Sequence, residues 1–154
     1  MHGLEQIVLD HPFFAALGEA FAQAISGCAR NARFDPGEYV FREGAAADEF
    51  HLIRAGSVAL ESQNPGRAAL VVATLHAGEI LDASALVPPY RWTYDARAVD
   101  LTRVLAVNAK CLRDKCEADH DLGYELMKRF ATMMGERLRA TTLQVLDVYG
   151  DGGR

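Results

Sequence analysis

The sequence contains no long apolar run, no block of basic residues and only one tryptophan. None of its apolar runs approaches the roughly 20 residues that a membrane-spanning helix needs, so we expect no membrane association. The net charge of -5, without clustered lysine or arginine, disfavours nucleic-acid binding by the whole chain, because such binding needs a cationic face. The N-terminus has no positive region before an apolar core, and we therefore expect no signal peptide.

The cysteines and histidines of the sequence show no spacing typical of a metal site or a catalytic site. It has three cysteines, Cys28, Cys111 and Cys116, and an odd number without a secretion signal predicts free thiols in a cytoplasmic protein. No nearby Cys or His pair completes a zinc site with Cys111 and Cys116. The histidines are scattered, and no nucleophile stands at a useful spacing from a base. We predict that the protein has no metal or other cofactor and is not an enzyme.

The apolar pattern divides the chain into three parts. Its period changes from helical to alternating at Phe34, and short strands separated by glycine turns follow as far as Val107. We predict one domain over residues 1–154, with helices at about 4–27, a β-roll at about 32–107 and C-terminal helices at about 109–149. One of these helices is expected at 4–10 and another at 12–27. Pattern alone indicates a β-sandwich or barrel with flanking helices.

The spacing of the glycine turns, and of the apolar residues between them, is similar to that of a known domain family. The matching pattern is Phe34-x-x-Gly37-Glu38-x-Val40-Phe41-x-x-Gly44-x-x-x-Asp48-x-Phe50-x-Leu52-Ile53-x-x-Gly56-x-Val58, followed by Gly78-Glu79 and Ala96-Arg97-Ala98. It resembles the cyclic nucleotide-binding domain of catabolite-activator-type regulators, kinase regulatory subunits and cyclic-nucleotide-gated channels. The resemblance implies a mainly β fold: a jelly-roll β-roll of about eight strands, with N-terminal helices and a long C-terminal dimerisation helix.

The same resemblance implies a ligand site between Gly78 and Ala98. In the family, a short helix after Gly-Glu presents N–H groups to the cyclic phosphate, an inner Gly-Glu pair holds the ribose, and a later arginine holds the phosphate. Here the inner pair falls on Asp82-Ala83, so the ribose carboxylate is missing. The predicted ligand-binding residues are Gly78, Glu79, Asp82, Ala83, Ser84, Ala85, Arg91, Trp92 and Thr93.

The arginine of this site is out of register. Counting back from Ala98, Trp92 takes its place, Thr93 follows it, and Arg91 comes one residue early. One step along a strand turns a side chain to the opposite face, so either the turn is shifted and Arg91 points inward, or Trp92 fills the pocket and Arg91 faces solvent. Losing the guanidinium and the ribose carboxylate together would weaken binding by roughly 10²–10⁴-fold. The ligand is therefore cAMP or cGMP, another small anion or aromatic molecule, or none.

The last helix carries two apolar stripes. Leu122, Leu126, Phe130 and Met133 form the stripe predicted to face the β-roll. The second stripe follows alternating steps of four and three residues, which is a heptad seam, and consists of Met127, Ala131, Met134, Leu138, Thr141, Val145 and Val148. We interpret this seam as the contact of a parallel homodimer, with extra packing inside the chain as the alternative.

These observations predict a regulatory domain that senses a small molecule of the cyclic-nucleotide type and acts through a dimer on an unidentified partner protein. The alternative is a ligand-independent dimeric adaptor with a plugged pocket. Relatives that regulate transcription carry a helix-turn-helix after the long helix, and none follows here, so we expect no direct DNA binding.

Overall fold

The computed structural model describes residues 3–152, so residues 1–2 and 153–154 of the predicted domain lie outside the described residues. The helices are α1 (Gly3–Asp10), α2 (Glu19–Ser26), α3 (Ala109–Ala118) and α4 (His120–Gly152), and short 3-10 turns occupy Pro12–Phe14 and Ser84–Leu86. The strands are β1 (Ala29–Phe34), β2 (Tyr39–Phe41), β3 (Glu49–Ala55), β4 (Ser57–Ser62), β5 (Leu70–His76), β6 (Asp95–Ala98) and β7 (Thr102–Asn108).

The strands form two antiparallel sheets, in the orders β1-β7-β3 and β2-β6-β4-β5. The predicted fold class, a mainly β jelly-roll with helices before and after it, is confirmed. Within residues 3–152 the roll has seven strands rather than about eight. One continuous core joins the two sheets and the helices, and its fully buried members include Phe50, Leu60, Leu105 and Leu126.

The N-terminal part differs from the expected pattern. The prediction of one continuous helix at residues 12–27 is wrong, because only a 3-10 turn forms at Pro12–Phe14. Its C-terminal part is confirmed as α2, which begins at Glu19. Ala16 and Gly18 between them adopt positive φ angles of 63° and 97°, which a continuous helix excludes. The sequence pattern also missed β1, whose residues Ala29 to Phe34 pair with β7.

The hairpin between β3 and β4 turns at a glycine for a steric reason. Gly56 has a φ of 90°, and a Cβ atom there would collide with the carbonyl oxygen of Leu101 and with Thr102. Only glycine fits this position without displacing the backbone before β7. The β3–β4 turn is therefore fixed against the start of β7.

Two of the cysteines are joined, so the prediction of free thiols is wrong for them. Cys28, between α2 and β1, forms a disulfide with Cys111 in the first turn of α3, and their Cα atoms are 5.7 Å apart. The backbone N–H of Asn108 donates to the carbonyl of Cys28 at 2.8 Å, which brings the two segments together, a tertiary contact that no local pattern reveals. Cys116 is free and half-buried, and burial raises the pKa of its thiol.

Helix α4 rests on the roll through the stripe predicted for that role. Leu122, Leu126 and Phe130 are buried and Met133 packs on the core, which confirms this prediction. Beyond Met133 the apolar side chains of α4 are exposed, although Arg137 still contacts the roll. No helix within residues 3–152 is long and apolar enough to cross a membrane.

Candidate ligand-binding site

The segment Gly78 to Ala98, here called the cassette, connects the two sheets. It leaves β5 in the four-stranded sheet and then borders β3 of the other sheet. There the N–H of Ile53 donates to Glu79 at 2.9 Å, and the N–H of Leu81 donates to His51 at 3.0 Å. Its far end forms β6 and rejoins the four-stranded sheet beside β4. A displacement of the cassette therefore affects both sheets.

Asp82 uses the hydrogen-bond donors at the start of the short turn of the cassette. Its carboxylate is buried and accepts from the N–H of Ser84 at 3.1 Å and from the Ser84 hydroxyl at 2.9 Å. The Thr93 hydroxyl approaches the same carboxylate at 3.5 Å. Ser84 and Thr93 are residues that the resemblance assigns to an incoming phosphate. In this structure the carboxylate of Asp82 contacts both residues in place of a phosphate.

Trp92 is part of the interior of the roll. It is 5% exposed, and its ring stacks on Phe41 with a centroid distance of 3.8 Å and an interplanar angle of 5°. His51 lies against both rings, with its centroid 5.9 Å from each. These three rings fill the interior beside the cassette. The Nδ1 atom of His51 is buried and has no hydrogen-bond partner among the described residues.

Arg91 points the other way. Its side chain is exposed and donates from Nη1 to the carbonyl of Gly44 at 2.9 Å. Residues 90–92 pair with the loop at 44–47, because Gly44 donates to the Trp92 carbonyl at 2.8 Å and Trp92 donates to Ala45 at 3.0 Å. Neighbouring residues in such extended backbone point to opposite sides. Of the two orientations left open by the sequence, the structure has Trp92 inside and Arg91 outside.

The other predicted site residues shape the turn after β5 or pack in the core. Gly78 has a φ of 91°, and the carboxylate of Glu79 accepts from the N–H of His76 at 2.6 Å, closing the turn after β5. Ala83 and Ala85 are buried in the core. The structure thus brings Asp82, Ser84 and Thr93 together and separates Arg91 from them. A role for any of the nine residues in binding a ligand remains a prediction.

Two arginines of the C-terminal helices hold the cassette, and the sequence did not single them out. Arg137 of α4 donates from Nη1 to the carbonyl of Leu81 and from Nη2 to that of Ile80, both at 2.6 Å. Arg113 of α3 donates to the carbonyl of Ala85 at 2.5 Å and lies over the ring of Tyr90 at 4.3 Å. A signal for Arg137 exists: it continues the spacing of the buried α4 stripe one turn beyond Met133.

The carboxylates of Glu79 and Asp82 in the cassette accept hydrogen bonds from neighbouring groups of the chain. Within residues 3–152 no three His, Cys, Asp or Glu side chains converge in a way that could hold a metal ion. At the start of the cassette, burial lowers the pKa of the Arg137 guanidinium, and the carboxylates of Asp82 and Glu79 act in the opposite direction.

Comparison with known proteins agrees with this architecture. The family model of the cyclic nucleotide-binding domain matches residues 32–119. A structure described as a cyclic nucleotide-binding protein of Geobacter metallireducens is 30% identical, with a TM-score of 0.78, over 90% of this chain and 99% of that chain. The chain therefore belongs to the cyclic nucleotide-binding domain family.

More distant structures share the fold. The catabolite activator protein of Thermus thermophilus is 21% identical, with a TM-score of 0.71, over 90% of this chain and 63% of that chain. The regulatory domain of a Toxoplasma gondii protein kinase, crystallised with cAMP, is 16% identical, with a TM-score of 0.62, over 94% of this chain and 49% of that chain. No curated protein matches the sequence.

Proposed function

We propose that this chain is a dimeric regulatory domain that senses a small molecule at the cassette and transmits the signal through α4 to a partner protein. The observation that carries the proposal is the pair of hydrogen bonds from Arg137 to the carbonyls of Ile80 and Leu81. Hydrogen bonds to charged groups contribute about 1.5–3 kcal/mol each, so the start of the cassette is tied firmly to the long helix. A ligand that shifts the cassette would shift α4 or break these bonds.

The ligand class follows from the family and from the polar groups at the site. The Toxoplasma gondii relative is described with bound cAMP, and the present chain has its fold. We infer that a phosphate-bearing small molecule is the signal, with cAMP and cGMP as the first compounds to test. We expect both to bind weakly in the family's usual position, because Trp92 stands in the place of the arginine and Asp82 already bonds Ser84.

The proposed output is a homodimer formed through α4. Each residue of the predicted seam is exposed on the single chain: Met127, Ala131, Met134, Leu138, Thr141, Val145 and Val148. A helix that already buries one stripe against the roll has no reason to expose a second apolar stripe unless another surface covers it. A second copy of α4 offers the matching heptad pattern.

One observation favours a second candidate, the ligand-independent adaptor. The stack of Trp92 on Phe41 leaves the interior of the roll filled by aromatic rings. A filled pocket needs no small molecule to be stable, and the dimer alone would then present a surface to a partner. The adaptor and the sensor share the fold and the dimer and differ only in ligand binding.

Calorimetric titration of the protein with cAMP, cGMP and ATP, each up to millimolar concentration, separates the two candidates. The sensor predicts saturable heat and a raised melting temperature with at least one of these compounds. An absence of heat and of a melting shift with all three compounds contradicts the sensor and supports the adaptor.

A further inference from the structure

A groove outside the interior of the roll is lined by the positively charged side chain of Arg137. It encloses about 920 Å³ between the first 3-10 turn, β5 and the face of α4 from Glu125 to Gln144. Its volume lies in the range of small-molecule pockets, roughly 300–1,000 Å³. Gly78 and Glu79 of the predicted site line it, whereas Asp82, Trp92 and Thr93 do not. It is therefore a different location from the family's interior pocket.

Most charged side chains that line the groove already have partners of opposite charge or backbone partners. Arg129 bonds Glu125 at 2.8 Å and the carbonyl of Ala15 at 2.5 Å, and Lys128 bonds Glu125 at 3.3 Å. The carboxylate of Glu79 accepts from the backbone of His76. Two charged groups remain to be considered, Arg137 and Glu136.

Arg137 is a cation at this groove, and the nearby carboxylates of Asp82 and Glu79 act to raise its pKa against the effect of burial without bonding it. Its hydrogen bonds go only to two peptide carbonyls, and it forms no salt bridge with any described side chain. A guanidinium has five N–H donors, so two single bonds leave three without a partner among the described residues. Arginine stays charged even where burial lowers its pKa, and its planar fork matches the oxygens of a phosphate.

We infer that this groove binds a phosphate-bearing small molecule, with the Arg137 guanidinium as the anion-binding group. This inference rests on the proposed sensing function and gives it a location. The bound phosphate uses the free donors of Arg137 while its bonds to Ile80 and Leu81 persist. The ligand thereby stiffens the connection between the cassette and α4. Arg137 takes over, from a helix, the task that the family assigns to the residue replaced by Trp92.

The neighbouring Glu136 provides a second prediction, opposite in sign to that for Arg137. Its carboxylate lines the same groove and has no hydrogen bond or salt bridge to a described residue. A carboxylate near a bound phosphate repels it, so removing this charge should strengthen binding. The groove model therefore predicts opposite effects from adjacent residues, which a general loss of stability could not produce.

The test is calorimetric titration of the full chain with three probes: cAMP, AMP and inorganic pyrophosphate. At least one probe should bind the unaltered protein. We expect Arg137→Gln to weaken that binding by about tenfold or more, Arg137→Lys to keep part of it, and Glu136→Gln to tighten it. The matched control is Arg139→Gln, an exposed arginine on α4 outside the groove, which should bind normally. Binding by AMP or cAMP but not pyrophosphate would indicate recognition of the nucleoside as well.

The outcomes separate the groove from the wider proposal. Unchanged affinity in a folded Arg137→Gln variant, with its circular dichroism spectrum retained, overturns the groove site. If affinity is instead unchanged by Arg137→Gln and raised by Asp82→Asn, which frees the donors of Ser84, the ligand sits in the roll and only the location is wrong. If no probe binds at millimolar concentration, the groove site fails, and the sensing function fails as well only if cGMP and ATP also give no heat.

Discussion

At the scale of single residues, the orientations of Trp92 and Arg91 determine that the interior beside the cassette holds an aromatic ring and not a guanidinium. The indole is stacked inside the roll at 3.8 Å from Phe41, whereas the guanidinium is outside and bonds one carbonyl. The sequence revealed the altered register but could not choose between two orientations. The choice depends on pairing between residues 90–92 and the loop at 44–47, a contact distant in sequence.

The two residues should differ in their contribution to stability. Trp92→Ala leaves a cavity beside Phe41 and His51, and we expect a loss of about 3–5 kcal/mol in the free energy of unfolding. Arg91→Ala removes one exposed hydrogen bond and should cost less than about 1 kcal/mol. Urea unfolding of both variants measures the difference. Equal losses would mean that Trp92 is not packed as described.

His51 predicts a specific loss of stability in mild acid. Burial lowers its pKa from 6.5 to about 4, although Glu49 and Asp48 act in the opposite direction. As pH falls from 6.5 towards 4, the unfolded chain takes up a proton that the folded chain refuses, so folding loses stability across that window. A shift of this size corresponds to about 3 kcal/mol.

Urea unfolding between pH 7.5 and 4.5 measures this loss, with His51→Leu as the comparison. The variant should show a flatter dependence on pH, because the imidazole is gone. His11, whose pKa is also lowered by burial, retains its own contribution in both proteins. The same pH dependence in the variant and the parent protein would contradict the assignment to His51.

At the scale of elements, the sequence predicted most strands of the roll but not the helix boundaries and the strand that precede β2. The strands from β2 to β7 and the helices α3 and α4 follow from alternating or helical apolar patterns with glycine turns between them. β1 was missed because its sequence, Ala29-Arg-Asn-Ala-Arg-Phe34, has few apolar residues and depends on pairing with β7. The disulfide and the contacts of Arg137 were missed because they join distant segments.

The disulfide predicts a stability difference between oxidised and reduced protein. Cys28 and Cys111 are 83 residues apart, and closing a loop of that length in the unfolded chain stabilises the folded state by about 4.5 kcal/mol. Cys111→Ser, or reduction by a dithiol, should therefore lower the melting temperature, with α3 released from the end of α2. Cys116→Ser is the control, since Cys116 is free. Identical melting of oxidised and reduced protein would argue against a bond that stabilises the fold.

At the scale of the whole molecule, α4 is the element with an unexplained surface. One stripe is buried on the roll, and the exposed seam includes Leu138 at 68% exposure and Val148 at 69%. The sequence identified both stripes from spacing alone. It could not identify the partner of the exposed one, because that surface is not covered by the chain itself.

A charge in the seam should dissociate the proposed dimer. Leu138→Glu places a carboxylate in the centre of the seam, and we expect sedimentation or light scattering to give the mass of a monomer. Leu143→Glu is the matched control, because Leu143 is also exposed but lies on another side of α4. A dimer that persists in the first variant, or dissociates equally in both, would contradict the seam.

Through Arg137, the cassette and α4 are proposed to respond together, and hydrogen–deuterium exchange of Arg137→Gln measures this coupling. Removing the bonds to Ile80 and Leu81 should speed exchange both in residues 80–86 and in α4 beyond Met133, while Arg139→Gln leaves both segments unchanged. Faster exchange at both places supports transmission from the cassette to the long helix. Faster exchange confined to one segment, or none at all, would contradict it.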